Sequence, residues 1–139
     1  MNRQSGFSLI EIMVVVVILG ILASIVVPKI ISRPDEARVV KAKQDVLAIQ
    51  NAMDLYKLDN GIYPSTDQGL HALVEKPTSN PIPRDWKQYL KSIPKDPWGR
   101  EYLYLNPGEH GEIDIFTLGA DGQQGGSGIN AEIGNWDAQ

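Results

Sequence analysis

Residues 7–27 form a nearly unbroken apolar run, and Glu11 is the single charged side chain within it. As a helix the run would reach about 32 Å, close to the hydrocarbon thickness of a bilayer. Its centre, Val14-Val15-Val16-Val17-Ile18-Leu19, is apolar on every face. That is too hydrophobic for a core helix in a domain as small as this chain allows. A carboxylate costs about 2.5–3.5 kcal/mol near the centre of a membrane and less near an interface. A plain anchor would therefore do better with Leu at position 11. A cleaved secretory signal would want a more basic leader and a small-x-small site. Only Arg3 and the terminal amine precede the run, and it continues to Val27-Pro28 without such a site. Charge does not settle the orientation. Lys29, Arg33, Arg38, Lys41 and Lys43 follow the span, which favours the wrong side for an exported domain.

The order Gly6-Phe7-Ser8-Leu9-Ile10-Glu11 followed by the apolar run resembles the class III leader of type IV pilin-like proteins. The resemblance implies a leader at 1–6, cleavage between Gly6 and Phe7 by a prepilin peptidase, and N-methylation of Phe7. It also implies that Glu11 pairs with the terminal amine of a neighbouring subunit during filament assembly. The physics agrees with that role. Two opposite charges in a low dielectric are each costly alone and tolerable together, so pairing favours one axial register.

Pro28 interrupts the run, and the sequence predicts a bend or locally melted turn there, with Ser32 able to cap a restarted helix. From Ala37 to Leu58 the pattern is helical. Val39, Ala42, Val46, Ile49, Met53 and Tyr56 fall on one stripe, which predicts a core face. Asn60-Gly61 supplies the stop. The nine prolines and thirteen glycines lie mostly after residue 60, so the second half should be loop-rich. Ser65-Thr66-Asp67-Gln68 can cap a short helix through Leu70, Leu73 and Val74. Tyr102-Leu103-Tyr104-Leu105 reads as a strand, Asn106-Pro107-Gly108 as a turn, and Glu112 to Leu118 as the partner strand. The expected fold is α+β, a pilin-like lollipop. A long N-terminal helix, apolar at 7–27 and amphipathic at 28–61, packs its second half on a small antiparallel sheet. The globular head covers 62–139 and ends in a glycine-rich loop.

The tail from Thr117 to Glu132 lacks the Gly-Lys-Ser/Thr ending of a phosphate loop. It reads either as a flexible surface loop or as a calcium site. Calcium wants six to eight oxygens on a chain supple enough to wrap it, and Asp121, Asn130 and Glu132 offer oxygens among glycines. The spacing is not that of an EF-hand.

The whole chain, through Tyr56-Lys57-Leu58-Asp59-Asn60, Tyr63-Pro64, Gln68-Gly69-Leu70, Asp96-Pro97-Trp98-Gly99 and Ile133-Gly134-Asn135-Trp136, resembles the major pseudopilins of type II secretion. That family carries a structural calcium in the C-terminal loop, where type IV pilins commonly use a disulfide; this chain has no cysteine. The resemblance places backbone carbonyls at Leu118 and Gln123, a carboxylate at Asp121, and further oxygens within Ser127 to Glu132, including Ser127, Asn130 and Glu132. Gly128 and Asn130 stand where the family often has acids, and Glu132 where it usually has Asp, which implies weaker binding. It further implies a homopolymeric helical fibre in the periplasm, made from subunits first inserted in membrane lipid of the inner membrane. Single-pass subunits would place the head in the periplasm. Minor pseudopilins, an inner-membrane platform protein and an assembly ATPase are the implied partners. A type IV pilin for adhesion or motility, and a monomeric anchored calcium-binding domain, are the alternatives.

Composition narrows the rest. A net charge of −4 and a pI near 5.1 leave no broad basic surface for nucleic acid. Without cysteine there is no thiol catalysis and no Cys-based zinc site. His71 and His110, the only histidines, lack ligand spacing, and no nucleophile motif accompanies them. The chain reads as a structural subunit and not as an enzyme. Glu112 and Asp114 share one face of the expected strand and read as solvated.

Overall fold

The computed structural model describes residues 6–138, the side chains of 25–32 and 138 apart. Met1 to Ser5 of the expected leader lie outside the described residues. The chain divides into two compact units, one ending at Glu36 and one beginning at Ala37.

Helix α1 (Leu9–Asn60) begins in the first unit and ends in the second. The helix continues through Pro28 and Pro34, so the separate restart expected at Ser32 is absent. Each proline removes one donor from a hydrogen-bond ladder that continues on both sides. In the first unit every large apolar side chain from Phe7 to Leu22 is at least half exposed. Among the described residues no helix is long and apolar enough to cross a membrane. The expected span at 7–27 ends on residues whose side chains are not described.

The second unit is built on the stripe read from the sequence. Ala42, Val46, Ile49, Met53 and Tyr56 are buried, with Ala52 beside them, and Val39 is half-buried. Against them lies an antiparallel sheet of β1 (Leu103–Leu105), β2 (Asp114–Thr117) and β3 (Ile133–Gly134), in that order. Tyr104 faces Ile115 and Thr117 faces Ile133 in the ladder. Tyr102 and Tyr104 are buried on either side of exposed Leu103, as the two-residue period of a strand requires. β3 is only two residues long, too short for any period to show in the sequence. Leu70, Ala72 and Leu73 close the core from a 3-10 turn, Leu70–Leu73.

That turn is shorter than the helix the sequence predicts, and the residue before it is Gly69, which gives it no side-chain cap; Ser65 and Gln68 close the tight turn ahead of it instead. The Ser65 amide donates to Gln68 Oε1 at 3.0 Å and the Gln68 amide to Ser65 Oγ at 3.2 Å, a reciprocal pair across residues 65–68. The Gln68 side-chain amide also donates to the carbonyls of Ser79 and Pro81. It thereby fixes the proline-rich loop that follows. The Leu73 carbonyl accepts the Tyr89 and Leu90 amides, and Trp86 Nε1 donates to the Ala72 carbonyl at 2.7 Å.

Candidate functional site

Two regions carry the residues singled out in the sequence. The first is the start of α1. Gly6 and Phe7 precede the helix in non-helical backbone and both are exposed, Phe7 by 86%. A Cβ at Gly6 would meet nothing within 4 Å, so the local structure does not itself demand glycine there. Glu11 is exposed among exposed apolar neighbours. Its Oε2 accepts the Ser8 amide at 2.7 Å, and Ser8 Oγ accepts the Glu11 amide at 3.3 Å. Ser8 and Glu11 thus cap the helix reciprocally, and the carboxylate lies where the helix dipole favours an anion. This role for Ser8 was legible in the Ser-x-x-Glu spacing ahead of an apolar run but is not among the sequence expectations.

The second region is the loop from Leu118 to Glu132. Two limbs are folded together, with the Ala120 amide donating to the Ile129 carbonyl at 2.8 Å. Close approach dictates the glycines at two points. At Gly119, φ is +84° and a Cβ would lie 2.7 Å from the Ala131 carbonyl oxygen; at Gly126, φ is +94° and it would lie 2.5 Å from that of Asn130. Asp121 is exposed, and its Oδ1 accepts the Gln123 amide at 3.1 Å. Glu132 Oε1 reaches across to the Gly125 amide at 3.3 Å. The Ser127 carbonyl accepts the Asn130 amide at 3.1 Å. Leu118, Asn130 and Glu132 are half-buried, and Gln123 and Ser127 are exposed.

Among the described residues no group of three or more His, Cys, Asp and Glu side chains is placed to hold a metal ion. The candidate set holds only two carboxylates, Asp121 and Glu132, so an ion here would lean on neutral oxygens. That donor chemistry, all hard oxygen on a loop that closes on itself, suits calcium and does not suit a soft-ligand metal.

Beside the loop, the segment after β3 forms a polar knot that the sequence did not reveal. Asn135 Nδ2 donates to Gln50 Oε1 at 2.7 Å and to the Ile113 carbonyl at 2.9 Å, and Asn135 Oδ1 accepts the Ile115 amide. Trp136 stacks on His110 with ring centroids 3.8 Å apart. Asp114 is 1% exposed, which corrects its reading as a solvated strand residue. Glu112 is exposed and pairs with Lys57 at 2.5 Å. Asp114 Oδ2 accepts the Glu109 amide at 2.8 Å and lies 3.0 Å from His110 Nδ1, and both carboxylate oxygens take the His110 amide at 3.2 Å. Burial alone would raise the Asp114 pKa. The His110 ring and the amides of Glu109 and His110 outweigh it and hold the carboxyl below its ordinary value.

Comparison with known proteins adds the family. The model of type II secretion system protein G matches residues 29–136, and that of the prokaryotic N-terminal methylation motif matches residues 1–27. The chain is 60% identical to type II secretion system core protein G of Vibrio cholerae, over 100% of this chain and 96% of that protein. It is 63% identical to the Pseudomonas aeruginosa protein of the same description, over 98% and 97%. The crystal structure of the major pseudopilin from the type 2 secretion system of enterohaemorrhagic Escherichia coli superposes with a TM-score of 0.70 at 44% identity, covering 78% of this chain and 90% of that one. With the methylation motif over its apolar segment and the protein G match over most of the remainder, the chain belongs to the type II secretion system protein G family.

Proposed function

We propose that this protein is the major structural subunit of the pseudopilus, the periplasmic fibre whose growth drives folded proteins across the outer membrane in type II secretion. The observation that carries this is Glu11. It is a carboxylate at the head of a helix whose large apolar side chains, from Leu9 to Leu22, are at least half exposed. Such a surface requires cover, and lipid before assembly and neighbouring copies after it both supply cover. Only the copies also supply a cation. Cutting between Gly6 and Phe7 creates an ammonium at Phe7, and a neighbour's Glu11 can pair with it. Removing Glu11 would leave that amine buried and unpaired in the fibre core, a cost of several kcal/mol for each subunit.

In this reading the precursor enters the inner membrane as a single-pass protein with its head in the periplasm. The prepilin peptidase cleaves and methylates it, and minor pseudopilins, the platform protein and the assembly ATPase act with it. The role is mechanical and assigns no catalytic residue. Calcium is the ion we propose for the loop, held by carbonyls of Leu118 and Gln123, the Asp121 carboxylate and oxygens from Ser127, Asn130 and Glu132. Its contribution is to join the two limbs of the loop. Two features support it: the all-oxygen donor set, and limbs already brought together at Ala120 and Ile129.

The test is Glu11→Ala in cells that express the secretion system. The variant should insert, should be cut to a mature start at methylated Phe7 by mass spectrometry, and should fail to form fibres. An intact Met1 in the wild type, or normal fibres from the variant, would refute the proposal.

A further inference from the structure

One cation of the head reaches into the loop. Arg100 donates from Nη1 to the carbonyls of Gly119 at 3.1 Å and Ala120 at 3.3 Å, and from Nη2 to Ala120 at 3.4 Å. A Cβ at Gly122 would lie 2.7 Å from Arg100 Cζ and Nε, so the guanidinium is packed against the backbone at Gly122. The turn that carries Arg100 is itself fixed. Asp96, 4% exposed, accepts the amides of Trp98 at 3.0 Å and Arg100 at 2.8 Å on one oxygen and the Thr117 hydroxyl at 2.6 Å on the other. The Asp96 amide donates back to the Arg100 carbonyl at 2.8 Å, and the Gly119 amide donates to Thr117 Oγ1. The first limb of the loop is therefore held by the body of the head at residues 117, 119 and 120.

We propose that Arg100 is a positioning residue for the calcium loop. It occupies the carbonyls of Gly119 and Ala120 and fixes that limb, so that the flanking oxygens of Leu118, Asp121 and Gln123 are presented to the ion. The proposal rests on the calcium reading above. Its physical basis is conformational entropy. Ordering one backbone residue costs about 1–2 kcal/mol, and the glycines of this loop have the most freedom to lose. A limb ordered in advance spares the ion that cost. The planar fork suits the task because it places donors on two adjacent carbonyls at once, which an ammonium does less well. Arg100 also brings a positive charge toward a cation site, and that repulsion opposes the gain from position.

The decisive measurement is calcium affinity by titration of the full chain in detergent micelles with calcium chloride. It is made for the wild type, Arg100→Lys and Arg100→Met, alongside the melting temperature of each in excess chelator. Removing an outer partner of a metal site typically weakens binding 10- to 100-fold. Arg100→Lys keeps the charge and loses the fork, and should bind calcium about tenfold more weakly. Arg100→Met should do the same. A melting temperature that falls in chelator while calcium affinity stays at the wild-type value would overturn the proposal and leave Arg100 a merely structural residue. Tighter binding by Arg100→Met would also overturn it, because repulsion would then outweigh position. A wild type that binds no calcium sinks the calcium reading itself, and this inference with it.

Discussion

Replacing Asp114 should destabilise the head in a way that depends on pH. Asp114→Ala strands three donors, the Glu109 amide, the His110 amide and the His110 ring, all of which now point at a carboxylate that is 1% exposed. Hydrogen bonds to a charged group contribute about 1.5–3 kcal/mol each, and they are not additive. His110 is 44% exposed at its side chain, so water recovers part of the loss at the ring. A net cost of about 3–5 kcal/mol follows, carried mainly by the two amides left without their buried acceptor. For a domain of about 100 residues this lowers the melting temperature by roughly 12–20 °C. Asp114→Asn keeps the shape and one acceptor oxygen, and should cost about 1–3 kcal/mol. The folded carboxyl is held below its ordinary value of 3.8. On acidification the unfolded chain therefore takes up the proton first. The stability tied to Asp114 is complete above that value and is lost as pH falls through the folded one. Denaturant unfolding of wild type and both variants from about pH 7 to pH 2 measures the difference directly, and the other carboxylates cancel in it. A difference that stays constant down to about pH 2, or a cost of Asp114→Ala below about 1 kcal/mol at neutral pH, would refute this account.

Two further perturbations test the core and the loop. Met53 is fully buried in the helix stripe, whereas Leu58 on the same helix is 79% exposed. Met53→Ala should cost about 2–5 kcal/mol and Leu58→Ala little, by urea unfolding of the full chain in micelles; equal effects would overturn the assignment of the buried face. Calcium at 100 times its dissociation constant would stabilise the fold by about 2.7 kcal/mol. Chelator should then lower the melting temperature of the wild type and leave that of Asp121→Ala unchanged; a wild type indifferent to chelator would leave the loop without an ion.

Periodicity along the chain made the helix stripe legible, because Ala42, Val46, Ile49, Met53 and Tyr56 recur at the spacing of one helical face. The first strand was legible from its alternation of Tyr102 and Tyr104 against Leu103, whereas the second was legible in place but not in pattern, since Asp114, Ile115 and Thr117 are all buried. The position of Glu11, whose cost in an apolar setting is set by its own charge, was also legible. These are properties of short stretches, and a linear pattern encodes them.

Contacts between distant residues have no linear pattern. β3 exists because Ile133 and Gly134 find the free edge of β2. Asp114 is buried because the turn before it aims two amides and an imidazole at its carboxylate. Arg100 serves a loop about twenty residues away because Asp96 closes the turn beneath it. By itself the sequence determined an apolar stem with one acid, an amphipathic helix and a family. Only the tertiary structure decided which polar groups are buried and what holds the loop. Burial and hydrogen-bond partnership belong to positions in space, and chain order does not record them.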